Sequence, residues 1–196
     1  MLILASASPR RRELLERLCS TFRVVPSDID ESLDGPPTPE KIAELALRKA
    51  RAVAAAIREG IVLGADTVVV LDDTALGKPA TADEARTMLR RLRGRPHEVI
   101  TGVAVMDAAT RRAATTAEVS RVLMRDYPDS LIDSYVASGE PLDKAGAYAI
   151  QGDGGQLVAG WVGSYTNIVG LPVAATRRLL ARFDVPLSPE TTGSPS

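Results

Sequence analysis

Asp66 interrupts the apolar, β-branched run from Ile61 to Leu71, and an ionised carboxylate is costly to bury there unless it is paired or holds a metal. The position suits a reacting centre or a salt bridge; a strand end at which Asp66 caps a neighbouring loop is the plainer alternative. Gly64 permits close backbone approach beside it, and in a regular strand Thr67 points to the opposite face. A second conflict sits at Arg10, Arg11 and Arg12, in what reads as the first turn of a helix, where the dipole and unpaired N–H groups favour anions over cations. Three cations make sense there if an anion lies between them and the helix end, with Ser6, Ser8 and free amides as a phosphate cradle. An exposed basic turn neutralised by Glu13 and Glu16 would look the same in sequence. No Walker pattern occurs, so such a cradle is not a P-loop.

Lys49 falls four residues after Leu45 and seven after Ile42, on the apolar face of its helix. It either snorkels or reaches a ligand phosphate. Lys78 and Lys144 lie among turn-forming residues, positions open to phosphate contact but also ordinary surface. Gln151 follows an apolar segment and precedes a glycine cluster, where its amide could read a base edge. Asp30 and Glu31 offer hard oxygens suited to magnesium or manganese, or are simply solvated. His97, after Pro96 at a strand start, reads as structural or exposed rather than catalytic.

The elements that must position these groups follow from periodicity and caps. Residues 2–5 read as a strand, Ser8 as an N-cap with Pro9 at the first helical position, and Leu14, Leu15 and Leu18 as the buried side of that helix. Residues 22–25 read as a second strand and 27–37 as a polar, proline-rich loop. A long helix opens at Thr38 and Pro39 and stops at Gly60. Residues 61–71 read as a central strand buried on both faces. A capping box at Thr81 and Glu84 starts a helix that ends at Gly94. Residues 99–106 and 118–124 read as antiparallel strands; 128–138 and 172–183 as helices; 147–151 and 157–162 as strands. Strands interleaved with helices, together with one antiparallel pair, predict an α/β fold with a mixed sheet. Residues 1–185 read as one domain and 186–196 as a disordered tail.

The chain has 196 residues, 24 Lys and Arg against 25 Asp and Glu, one His and one Cys. That balance leaves no basic field for nucleic acid, so any bound anion must meet a local site. The single cysteine excludes an internal disulfide framework and a cysteine-rich zinc site, and fits a reducing cytoplasm. The single histidine excludes a two-histidine metal centre. The N-terminal apolar stretch is too short for a signal peptide, and no run is long enough for a membrane span. The expectation is a chain that starts at Met1 and stays in solution.

Taken in order, several short motifs closely resemble the Maf nucleotide pyrophosphatases. They run from Ser6 to Arg11, Asp28 to Glu31, Arg48 to Ala50, Gly64 to Thr67, Gly77 to Pro79, Gly139 to Tyr148, Ile150 to Gly152 and Asn167 to Pro172. The resemblance covers residues 2 to about 183. It implies an ITPase-like α/β fold with an elongated mixed sheet flanked by helices, two lobes around a central cleft, and a homodimer. It also implies hydrolysis of a nucleoside triphosphate to the monophosphate and pyrophosphate with a divalent cation (Mg2+ or Mn2+), in nucleotide-pool housecleaning and with a link to septum formation and cell-division arrest. Carried over, Asp66 resembles the general base or a metal ligand, Glu31 a metal-binding carboxylate, and Ser8, Arg10, Arg11, Lys49 and Lys78 triphosphate contacts. Thr67 and Gln151 stand at positions that resemble base-selecting sites. The Ala-Asp-Thr and Ile-Gln-Gly forms are similar to the dTTP and UTP branch. Ala7 and Ala149 replace glycines common in the family, changes that narrow the pocket. Pyrophosphatase action on a modified purine nucleotide, or a non-catalytic nucleotide-binding division regulator, are the alternatives.

Overall fold

A computed structural model describes residues 1–189. Strand β1 (Leu2–Leu4) turns into helix α1 (Pro9–Glu16), and β2 (Phe22–Val24) leads through a long loop to α2 (Pro39–Ala55). Then come β3 (Ile61–Leu71), β4 (Thr74–Leu76), α3 (Ala82–Leu92), β5 (Pro96–Asp107), β6 (Ala113–Met124) and α4 (Asp129–Ala137). Three short 3-10 turns precede β7 (Val158–Val162), α5 (Tyr165–Val169) and α6 (Val173–Ala181). The strands form one seven-stranded mixed sheet in the order β2-β1-β3-β5-β6-β7, with β4 added to β3. This is the α/β architecture expected from the sequence, a mixed sheet with flanking helices.

The cleft is a gap in that sheet. One edge of β3 pairs with β1 at Ile61 to Leu63 and with β4 at Val69 to Leu71. Between them, residues 64–68 pair with β5 alone. Asp66 and Thr67 sit in this gap, so side chains of both faces reach one opening. The apolar core divides around it. One cluster joins the far end of β3 to α3, α4 and the segment before β7, with Leu89, Ile132 and Tyr148 among its members. The other lobe packs Leu4, Leu15, Leu63 and Leu180 on one face and Ile3, Ala46, Ala50 and Val62 on the other.

Two glycines let α2 lie directly on the sheet. A Cβ on Gly64 would stand 2.2 Å from the Ala46 carbonyl oxygen, and one on Gly102 2.3 Å from that of Ile42. Gly102 is paired with Asp66 across β3 and β5, so the contact brings the helix within reach of that carboxylate. Gly64→Ala is expected to lower stability by about 1 to 3 kcal/mol through overpacking, read as a fall in melting temperature, because the obstructing atoms are backbone and cannot rotate away.

Several expectations change. Helix α2 ends at Ala55, short of Gly60, and β6 begins at Ala113, ahead of residue 118. Residues 147–151 form no strand: Gly146 and Ala147 have φ of 68° and 61°, and the Ala149 amide donates to the Tyr135 hydroxyl instead of to a neighbouring strand. Strand β4 was not anticipated; it follows a tight turn in which Asp72 and Asp73 have φ of 50° and 58°. Helix α5 was not anticipated either; it is capped by Ser164 and ended by Gly170. Of the expected tail, residues 190–196 lie outside the described residues. Before them, the Ser188 amide donates to the Leu18 carbonyl, and Arg177 donates to the Ser188 carbonyl.

Candidate active site

The gap opens into a cleft of about 1130 Å³. It is lined by Ser8, Arg10, Arg11, Glu31, Lys49, Asp66, Thr67, Lys78 and Gln151. Asp30, the other acid offered for a metal, lies outside the lining, its exposed carboxylate accepting from the Ser32 amide and hydroxyl at 2.9 and 2.6 Å. Ser8 does what its position predicts, taking the Arg11 amide as the N-cap of α1 at 3.4 Å. The arginine triplet divides. Arg10 and Arg11 turn into the cleft, whereas Arg12 is on the surface, paired with Glu16 at 3.0 Å. The exposed-turn reading therefore holds for Arg12 alone.

Lys49 joins the two candidate metal-binding carboxylates. Its Nζ lies 2.5 Å from Asp66 Oδ1 and 2.7 Å from Glu31 Oε1, and the lysine is only 4% exposed. It thus reaches the sheet gap rather than snorkelling, and its ammonium replaces much of the solvation that Asp66 loses. Glu31 comes from the loop after β2, which is tied down where Arg48 donates to the Asp30 carbonyl at 2.6 Å. Burial pushes the Glu31 carboxyl up, but the hydrogen bond and charge of Lys49, with Lys78 and Arg11, outweigh it and hold the group below its ordinary range.

On the other face of β3 lies Arg11. Its Nε donates to the Gly170 carbonyl at 2.9 Å, one terminal nitrogen to Ser6 Oγ at 3.1 Å and the other to Thr67 Oγ1 at 3.0 Å. Desolvation lowers its pKa, with Asp66 and Glu31 opposing; an arginine nonetheless stays charged. Arg10, Lys78 and Gln151 have no hydrogen bond or ion pair among the described residues, so two cations and one amide remain open to a ligand. Lys144, by contrast, is occupied by Asp143 at 2.6 Å and the Glu140 carbonyl at 2.8 Å.

Opposite the charges, Val69, Val99, Tyr148, Ile150 and Ile168 give the cleft an apolar side. Tyr148 is braced by His97, whose Nε2 lies 2.7 Å from the phenol oxygen. His97 is 3% exposed and lies outside the cleft lining, the structural role anticipated for it. Burial lowers its pKa to about 4. The folded chain then binds fewer protons than the unfolded one between that value and the ordinary 6.5. Stability is full above pH 6.5 and declines as pH falls towards 4, by on the order of 3 kcal/mol in all. Denaturant titrations of the wild type and His97→Gln across this range should show that decline only in the wild type.

Ser6, named in the sequence as part of a phosphate cradle, lines the cleft and accepts from Arg11. Thr101, Asn167 and Gly170, which support Arg11 and Thr67, were not singled out individually by sequence reasoning. Thr101 was marked by its polar side chain inside the apolar run of β5, a signal too common in strands to select it.

A family model for Maf-like proteins matches residues 1–183. A dTTP/UTP pyrophosphatase of Moorella thermoacetica is 52% identical, over 94% of this chain and 95% of its own. A dTTP/UTP pyrophosphatase of Pelotomaculum thermopropionicum is 49% identical, over 93% and 96%. Among solved structures, the Ham1 protein of Staphylococcus aureus overlays with a TM-score of 0.47 at 12% identity, covering 64% of this chain and 72% of that one. With the match running through every segment that lines the cleft, the chain belongs to the Maf family.

Proposed function

We propose that the chain is a nucleoside triphosphate pyrophosphatase that converts dTTP and UTP to their monophosphates and pyrophosphate. The observation that carries this reading is the placement of a lysine-held carboxylate, Asp66, in one cleft with the unpaired cations Arg10 and Lys78 and the neutrally coordinated Arg11. Relatives named for the same activity share about half their residues with it.

In the proposed reaction, Asp66 orients a water molecule and takes its proton as the oxygen attacks the α-phosphorus. The bond from that phosphorus to the oxygen bridging it to the β-phosphate breaks, and pyrophosphate departs. Arg10, Arg11 and Lys78 stabilise the charge that grows on the leaving group. Lys49 holds the Asp66 carboxylate in its aim across the cleft. Gln151 supplies a donor and an acceptor for a base edge, while the apolar side of the cleft receives the base ring.

The donor set suits a magnesium-type ion. Glu31 and Asp66 are two carboxylates held to one point by Lys49, and Mg2+ commonly takes one or two carboxylates with substrate phosphates and water. Among the described residues no cluster of three or more His, Cys, Asp or Glu adds to them. When bound, such an ion neutralises phosphate charge and lowers the pKa of coordinated water.

No helix among the described residues is long and apolar enough to cross a membrane; with a single cysteine, a cytoplasmic setting is the natural one. A homodimer would cover the exposed Val119, Leu123, Trp161 and Val162 beside edge strand β7, and sedimentation would show it. The function is tested by incubating the chain with normal and modified nucleotides, with and without Mg2+ or Mn2+, and assaying pyrophosphate. Release from dTTP and UTP supports the reading. Tight binding without turnover of any nucleotide overturns it in favour of a division regulator, and preference for a modified purine overturns the substrate.

A further inference from the structure

Arg11 is held in an unusual way for an arginine in a cleft wall. Its three partners, Gly170 O, Ser6 Oγ and Thr67 Oγ1, are all neutral. No carboxylate lies within ion-pair distance of it among the described residues, although Asp66 and Glu31 line the same cleft. A guanidinium offers five N–H groups, so two remain for a ligand, and no fixed anion competes with a phosphate for its charge.

Behind Arg11 the hydrogen bonds continue inward. Thr67 Oγ1 lies 2.9 Å from Thr101 Oγ1, and Thr101 Oγ1 donates to the Asn167 carbonyl at 3.1 Å. Their direction follows from the two ends. The guanidinium can only donate and the carbonyl can only accept, while each threonine hydroxyl has a single hydrogen. Thr101 gives its hydrogen to Asn167, so Thr67 gives its own to Thr101, and the Thr67 oxygen receives the Arg11 N–H. The alternative acceptor for Thr67, the Gly170 carbonyl, is farther at 3.4 Å. A one-way chain of this kind polarises each member in the same sense.

The inner end is fixed. Asn167 is fully buried; its side-chain amide donates to the Val99 carbonyl at 3.1 Å and to Ser120 Oγ at 2.8 Å, which ties α5 to β5 and β6. Its backbone amide is held by Ser164 Oγ at 3.2 Å. Thr101 is 0% exposed and does not line the cleft.

We infer that Thr67, Thr101 and Asn167 form a positioning relay for Arg11, so that Thr67 acts on the phosphate end of the substrate through the guanidinium. The inference rests on the pyrophosphatase reading above for its substrate, and on geometry alone for its anion. Thr101→Val keeps the shape of the side chain and removes the central link without touching a ligand.

The test measures kcat and KM for dTTP and UTP, and the Kd of inorganic pyrophosphate by calorimetry, on the wild type, Thr101→Val, Thr101→Ser and Thr67→Val. Melting curves confirm folding. The expected result is a loss of roughly tenfold in kcat/KM for both nucleotides alike in the two valine variants, the size of one lost hydrogen bond to a charged group. Pyrophosphate Kd should rise by a similar factor, and Thr101→Ser should restore most of the loss. A folded Thr101→Val with wild-type kcat/KM and wild-type pyrophosphate affinity overturns the relay. A folded Thr67→Val with wild-type kcat/KM and wild-type pyrophosphate affinity also overturns it. If Thr101→Val fails to fold, Thr67→Val and Thr101→Ser decide by the same criteria. Absence of turnover in the wild type sinks the pyrophosphatase reading instead, and the pyrophosphate titrations then judge the relay independently.

Discussion

Asp66→Asn is expected to lower kcat by about 10²- to 10⁴-fold, the usual contribution of a positioned general base, while the melting temperature changes little. The amide keeps the size of the carboxyl but takes no proton from water at neutral pH. Folding survives because Lys49 does not lose its counter-charge: Glu31 remains 2.7 Å from its Nζ. The same residue that makes Asp66 tolerable in a strand interior therefore makes its neutral analogue tolerable too. Steady-state pyrophosphate release with dTTP, alongside a thermal melt, separates the two effects. A folded Asp66→Asn with wild-type kcat removes Asp66 from the reaction.

Lys49→Met should cost both stability and activity. Methionine replaces the apolar stem but leaves Asp66 and Glu31 facing one another without the cation between them. Lys49 helps hold the Glu31 carboxyl below its ordinary range, so in its absence Glu31, left with a like charge beside it, should titrate at higher pH. Breaking a buried ion pair on one side commonly costs 3 to 5 kcal/mol; the Glu31 side chain is 55% exposed and can turn to water, which brings the expected loss down to about 2 kcal/mol. Adding Glu31→Gln to Lys49→Met removes the repulsion, and the double variant should recover part of the melting temperature. A double-mutant cycle on urea midpoints measures this coupling. Strict additivity would show that the bridge is energetically idle.

Conflicts between residue type and local environment made much of the site readable in advance. A carboxylate amid β-branched residues and a lysine on an apolar helix face each needed a partner, and the structure makes them partners of one another. What sequence could not convey was register across distant segments. The hydroxyls of Thr67 and Thr101 meet only because β3 and β5 pair residue 67 with residue 101, and a threonine in a strand raises no alarm by itself. Backbone conformation hid the rest. Residues 147–151 have the apolar composition of a strand, yet left-handed backbone at Gly146 and Ala147 turns the chain so that Tyr148 and Ile150 face the cleft. The fold class was legible because helix caps and apolar periods are local. The gap in the sheet was not, since it depends on where two unrelated short strands stop along β3.

That gap also governs how the molecule can respond to a ligand. Strands β3 and β5 run without interruption from one lobe into the other, joined by pairing from Ile61 to Val70. The lobes consequently share a common spine and are poorly suited to swing shut like jaws on a hinge. Substrates of different bulk must therefore be met by a cleft whose floor does not open, with the acid and the guanidinium kept as a fixed template.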